Sequence, residues 1–191
     1  MTPLIVATGN PGKLKEMQAY LVGTPWELAL KPPELDVEET GETFIANARL
    51  KAVQVAIATE SWAIADDSGL AVAALDGAPG LYSARYGATD GERIDKLLAA
   101  LGDRGDRAAE FICALVVARP DGSIAAETTG ICPGEIARSR SGSGGFGYDP
   151  IFYVPEVGQT FADMPPDTKR AIGHRGRAFA QLLPQLAALH P

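Results

Sequence analysis

Apolar residues fall in short runs broken by glycine, proline and acidic turns, and their spacing lays out alternating strands and helices. Leu-Ile-Val-Ala at residues 4–7 is short and unbroken, as a buried strand requires. The run stops at Gly9-Asn10-Pro11-Gly12, and a helix is predicted over residues 13–21. Residues 26–31 alternate well enough for a second strand. An acidic loop, PPELDVEETGE, follows, and then residues 43–59, rich in alanine and free of proline, predict a helix. Residues 62–65 form a compact strand that ends abruptly in DDSGL. A glycine-rich excursion, DGAPGLYSARYG, leads to a helix that begins near Asp90, its expected N-cap. EFICALVVARPDGSIAAETTGI predicts a hairpin turning at Pro-Asp-Gly-Ser. A second glycine-rich loop, SRSGSGGFGYDPIF, precedes a last helix over residues 174–189. Ala178, Leu182, Leu186 and Leu189 share one face of that helix, and Pro184 is expected to kink it. Strands, helices and a hairpin together give an α/β chain with a mixed sheet.

Composition narrows the picture. The 191 residues, 46% hydrophobic, fit a single domain with a substantial core, and no internal repeat or linker divides residues 1–191. The net charge of −7, from 24 acidic and 17 basic residues, argues against a reader of nucleic-acid backbones. It leaves room for a small phosphorylated ligand held through a divalent cation. No apolar run approaches membrane-spanning length, so no membrane partner is expected. Met1-Thr2-Pro3 lacks the basic and apolar stretches of a secretory signal. Cys113 and Cys132 lack metal-ligand spacing and fit buried thiols in a reducing, cytoplasmic compartment.

Five segments offer chemistry. The turn before Lys13 has the shape of a phosphate cradle, because N–H groups at a glycine turn and helix start attract anions. It is not the P-loop motif: only Asn10 and Pro11 separate Gly9 from Gly12, and Leu14 follows the lysine. The alternative is a plain strand-to-helix turn with a solvated lysine. Asp66-Asp67-Ser68-Gly69 sits at an expected strand end, the usual place for chemistry in an α/β protein. Adjacent carboxylates need a compensating cation or donors, and magnesium is a natural answer, with Glu38 or Glu39 as a further ligand. The alternative is an ordinary turn, since these are favoured turn residues. On the alanine-rich helix Phe44, Asn47, Lys51 and Gln54 share one arc, which either lines a cleft or forms a solvated face; Arg49 lies off it, unexplained. In GGFGYDP, Phe146 or Tyr148 can stack on a base, while Asp149 fixes the loop or meets a ribose. Lys169, Arg170, His174, Arg175 and Arg177 cluster in an acidic chain; such donors suit a purine's O6 and N7, although a lone histidine more often packs than reacts.

Together, ATGNPGKLKE, EETGETFIANARLKA, IADDSGLAV, GAPGLYSARY, GGFGYDPIF and KRAIGHRGRA resemble the inosine/xanthosine triphosphate pyrophosphatase family, in the family's order and over nearly the whole chain. The resemblance implies an elongated mixed β-sheet flanked by helices, with two lobes, a central active-site cleft and a homodimer. It also implies Mg2+-dependent hydrolysis of a nucleoside triphosphate (ITP, dITP or XTP) to monophosphate and pyrophosphate. Carried over by motif, Thr8, Gly9, Asn10, Pro11, Gly12 and Lys13 hold the triphosphate with Lys51. Glu39 and Asp67 bind magnesium, and Asp67 is also the proton acceptor. Ser68, Phe146, Gly147, Tyr148, Asp149, Lys169, His174 and Arg175 contact the nucleotide. The chain departs from the family at Gly173, where serine commonly precedes His-Arg. Alternatives are a Maf-type pyrophosphatase of other base preference and a non-catalytic nucleotide-binding regulator.

Overall fold

In the computed structural model, which describes residues 1–189, the first apolar run forms β1 (Thr2–Val6) and passes through a short turn into α1 (Pro11–Tyr20). The helix starts two residues earlier than its composition suggests. Pro11 supplies a fixed φ and needs no N–H partner at the first turn, and the Asn10 side chain caps Gly12 N and Lys13 N. β2 (Trp26–Leu30) follows, then α2 (Phe44–Thr59), whose N-cap Thr43 accepts from Ala46 N. β3 (Trp62–Val72) is eleven residues long and carries straight through Asp66-Asp67-Ser68-Gly69, so the expected strand end is corrected. Turn propensity loses here because both aspartates find partners in the fold. α3 (Asp90–Leu101) is capped by Thr89, not Asp90: Thr89 Oγ1 accepts from Glu92 N at 3.2 Å.

β4 (Ala108–Ala118) and β5 (Ile124–Ile136) are the predicted hairpin, closed where Arg119 N donates to Ser123 O at 2.9 Å. β6 (Phe152–Val154) and β7 (Gln159–Thr160) are short. The basic cluster near the C-terminus spans two helices, α4 (Pro166–Ile172) and α5 (His174–Ala188). Lys169 and Arg170 thus sit in the last turn of α4, where the helix dipole favours cations. Pro184 lies inside α5, which continues through it. The seven strands form one mixed sheet in the order β2-β1-β3-β4-β5-β6-β7. β1 is parallel to β2 and β3, and β6 is antiparallel to β5 and β7.

The chain divides into two compact units. The first comprises Met1–Asp67, Cys113–Gly130 and the segment from Arg175 onward. Its sheet is covered on both faces. Leu4, Val6, Ile64, Cys113 and Leu115 pack with Met17 of α1 and Phe179 and Leu182 of α5. Ala63, Ala65, Ala114 and Val116 pack with Ala48, Ala52 and Val55 of α2. The small side chains let α2 lie close to the strands. Each large apolar side chain fully buried contributes about 1.5–3 kcal/mol, and Tyr20 stacks on Phe179 with ring centroids 4.5 Å apart. The second unit comprises Ser68–Ile112 and Ile131–His174. Its core joins Leu70, Val72, Ile94 and Leu97 to the aromatic group Phe111, Phe152 and Phe161.

Candidate active site

Residues 66 and 67 can meet side chains from the flanking helices because a neighbouring strand stops beside them. β1 ends with Val6 opposite Ile64, and Ala7 N donates to Ile64 O at 2.9 Å. β3 continues, so Asp66 and Asp67 lie beyond the end of β1. Successive side chains on a strand point to opposite faces. The two contiguous carboxylates therefore separate: Asp66 meets groups from α1 and α5, whereas Asp67 meets α2.

Asp66 is fully buried and accepts from Arg175 Nε at 2.7 Å and Cys113 Sγ at 3.3 Å, with Lys13 Nζ at 2.6 Å. Burial alone would raise its carboxyl pKa, but the Arg175 and Lys13 charges outweigh that and hold it well below the ordinary aspartate range. Burial, reinforced by the Asp66 charge, pushes the Cys113 thiol well up, so it stays protonated and donates. Arg175 is also buried and pairs with Glu16 of α1. Burial disfavours its charge, yet Asp66, Cys113 and Glu16 raise its pKa and keep it cationic. The motif reading puts Arg175 on the nucleotide; its guanidinium here is engaged by Asp66 and Glu16. Neither Glu16 nor Cys113 was visible as a site residue in the sequence, and only the strand period, had β3 been extended, would have separated Asp66 from Asp67.

On the other face Lys51 Nζ donates to Glu39 Oε1 at 2.7 Å, Asp67 Oδ1 at 2.9 Å and the Asp66 carbonyl at 3.0 Å. Burial opposes the Lys51 charge, but Asp67 and Glu39 outweigh it and raise its pKa. Burial raises the Asp67 pKa, with Lys51 pulling against it. Of the two loop glutamates offered as a further metal ligand, Glu38 is exposed and Glu39 takes part. Asn47, on the same arc of α2, is buried and accepts from Gly41 N at 2.7 Å, while Gln54 is exposed. Arg49 finds its explanation as an exposed bidentate pair with Glu127. In the turn after β1, Thr8 Oγ1 accepts from Asn10 N at 3.2 Å, and Gly9 is exposed with open space around it. Lys13, Glu39, Asp67 and Arg175 all belong to this first unit: Lys13 and Arg175 meet at Asp66, and Lys51 joins Glu39 to Asp67.

The second unit holds the other residues singled out from the sequence. Asp149 is buried and accepts from Phe146 N at 2.9 Å and Lys169 Nζ at 2.6 Å, so it fixes the loop. Lys169 Nζ also lies 5.2 Å from the Phe146 ring centroid. Gly147 N donates to Asp90 Oδ2 at 2.8 Å. Tyr148 is buried in the core, and its hydroxyl donates to Ser83 O at 2.7 Å. Its ring is thus a packing group, which leaves Phe146 as the half-buried aromatic of the pair. His174 stacks on Phe111 with centroids 4.6 Å apart. Ser68 is half-buried on β3.

Among the described residues no three His, Cys, Asp or Glu side chains form a cage for a metal. Two carboxylates drawn onto one cation still fit a hard divalent ion that keeps waters and phosphates as its remaining ligands. A mixed α/β chain with such a pair, beside a lysine-bearing turn at a strand end, is of the class that handles phosphorylated ligands. Residues 4–185 match the model of the Ham1 family, and the chain belongs to that family. It is 64% identical to the dITP/XTP pyrophosphatase of Nostoc sp., over 97% of this chain and 95% of that one. It is 61% identical to the dITP/XTP pyrophosphatase of Synechocystis sp., over 99% and 97%. The solved HAM1 protein of Coxiella burnetii superposes with a TM-score of 0.90 at 43% identity, covering 99% of this chain and all of that one. A nucleoside-triphosphatase / dITP/XTP pyrophosphatase from Mycobacterium abscessus gives 0.76 at 40% identity, covering 95% and 99%. Nucleotide pyrophosphatases of this kind generally work with a divalent metal.

Proposed function

We infer that this chain hydrolyses the non-standard purine nucleoside triphosphates ITP, dITP and XTP to the monophosphate and pyrophosphate, clearing them from the nucleotide pool. Its Ham1 membership and its dITP/XTP pyrophosphatase relatives support the activity. The observation that carries the chemistry is the convergence of Glu39 and Asp67 on one ammonium, 2.7 and 2.9 Å away. We assign that carboxylate pair to Mg2+, and the whole of residues 1–191 to one catalytic domain, as the continuous family match over residues 4–185 supports.

In the reaction a water attacks the α-phosphorus. As the new oxygen–phosphorus bond forms, its proton passes to the Asp67 carboxylate. The bond from the α-phosphorus to the bridging oxygen breaks, and pyrophosphate leaves. Asp67 accepts the proton as an ionised carboxylate, a form that the Lys51 charge beside it favours. Magnesium, when bound, supplies positive charge against the charge developing on the phosphates. Lys13 and the N–H groups of residues 8–13 hold the phosphates, with Lys51 assisting. By motif, Ser68, Phe146, Gly147, Tyr148, Asp149, Lys169, His174 and Arg175 serve the nucleotide. Tyr148 and Arg175 do so by packing and by anchoring, because their side chains are already engaged.

Base selection follows from hydrogen-bond polarity. Donors aimed at the 6-oxo group of hypoxanthine or xanthine would face the 6-amino donor of adenine and be left unpaired. Pyrophosphate release over a panel of ITP, XTP, GTP and ATP, with and without Mg2+, tests the proposal. Equal rates on ITP and ATP defeat the base selection, and rates indifferent to Mg2+ defeat the metal assignment. We also propose a homodimer, following the family resemblance, and a cytoplasmic location. Among the described residues Cys113 and Cys132 are buried and form no disulfide, which suits a reducing compartment, and no helix is long and apolar enough to cross a membrane.

A further inference from the structure

The role of Lys51 extends beyond a phosphate contact. An ammonium has three donors, and here all three are used: on Glu39, on Asp67 and on the Asp66 carbonyl. Two carboxylate oxygens and a carbonyl oxygen form the kind of all-oxygen set that a hard divalent ion takes. The Lys51 side chain is only 11% exposed and rises from α2, between the buried Asn47, Ala48 and Ala52. The stem is therefore held, and the ammonium is a tethered cation at high local concentration. Without it, two partly buried carboxylates would lose the cation that both of them contact, a costly arrangement.

We propose that Lys51 is the resident counter-cation of the Glu39–Asp67 pair, and that a divalent ion reaches these carboxylates only by displacing it. This rests on the reading that Glu39 and Asp67 are the metal ligands. A displaced ammonium, still largely enclosed, needs a new anionic partner, and the substrate's phosphates are the anions that arrive. Metal and nucleotide therefore bind as a coupled pair. The nucleotide-free protein binds metal weakly, and each ligand tightens the other by the same factor. Lys51 thereby serves twice: it keeps the two carboxylates converged before substrate arrives, and it grips a phosphate afterwards.

Mn2+ is the probe, with free Mn2+ followed by electron paramagnetic resonance and a non-hydrolysable α,β-methylene ITP as the nucleotide. The nucleotide-free wild type should bind Mn2+ at least about tenfold more weakly than its analogue complex. Lys51→Gln, without nucleotide, should bind Mn2+ at least about tenfold more tightly than wild type and lose most of the coupling. Lys51→Arg, which keeps the charge, should exclude Mn2+ as wild type does. A purely structural lysine would lower stability in Lys51→Gln without raising its Mn2+ affinity, and that result overturns the proposal. Should Lys51→Gln fail to fold, the wild type alone decides: equal Mn2+ affinity with and without the analogue also overturns it. Glu39→Gln separates the two readings. If the analogue complex binds Mn2+ equally well without the Glu39 carboxylate, the metal-ligand assignment itself fails. If that affinity depends on Glu39 while Lys51→Gln gains nothing, only the displacement proposal fails.

Discussion

Replacing Asp66 with asparagine removes one charge from a fully buried position while nearly preserving its shape. The side chain currently faces Arg175 Nε at 2.7 Å and Lys13 Nζ at 2.6 Å. Removing one member of a buried ion pair typically costs about 3–5 kcal/mol, because the remaining charge stays enclosed. Two features pull the value toward the low end. Arg175 retains Glu16, and the Lys13 side chain is 15% exposed, so its ammonium can turn toward water. The expected loss is therefore roughly 3 kcal/mol, or about 6–12 °C in Tm for a chain of this size. Urea denaturation at pH 7 measures it. The pH dependence carries a definite sign. Asp66 has a depressed carboxyl pKa in the folded protein, so its contribution is fully present above the unfolded value of about 3.9 and is lost as pH falls through the folded one. The gap between wild type and Asp66→Asn should hold from neutral pH to about pH 5 and close in stronger acid. Adding Arg175→Met should recover part of the loss, since an apolar side chain does not need the lost partner. An Asp66→Asn protein within about 0.5 kcal/mol of wild type, or no coupling with Arg175→Met, would refute the anchoring argument.

Four further outcomes follow from the same contacts. Gly173→Ser places a Cβ 2.7 Å from the Lys169 carbonyl; the last turn of α4 must shift, at about 1–3 kcal/mol, and the KM for ITP should rise, which denaturation and steady-state kinetics together check. Asp149→Asn weakens the hold on Lys169 Nζ and Phe146 N, and should raise KM more than it lowers kcat; an unchanged KM would remove Asp149 from loop positioning. Treatment with EDTA should abolish pyrophosphate release yet leave Tm unchanged in the nucleotide-free protein, because Lys51 already bridges the carboxylates; a large drop in Tm would contradict this. Arg49→Ala cuts an exposed pair with Glu127, so the urea midpoint should stay put, and a clear shift would show that the pair matters more than its exposure suggests.

Local pattern was enough for much of this protein. An unbroken apolar run ahead of Asn10-Pro11-Gly12 marks a strand, a cap and a helix start, because these are properties of residues close in sequence. The alanine-rich stretch is a helix for the same reason, and the pattern of six motifs was specific enough to identify the family. The site was legible only as a set of residues. Asp66-Asp67-Ser68-Gly69 has the local preferences of a turn, and nothing nearby in sequence says that β3 runs on to Val72. Tertiary structure decided that, and with it the opposite directions of the two aspartates. Arg175 lies 109 residues from the carboxylate it pairs with, and Lys51 lies 16 from Asp67 on a separate element. Such pairings depend on which faces of the sheet α1, α2 and α5 cover, a global outcome of packing apolar surfaces. Sequence supplied the charges, and the burial of helices against the strands settled which charges meet.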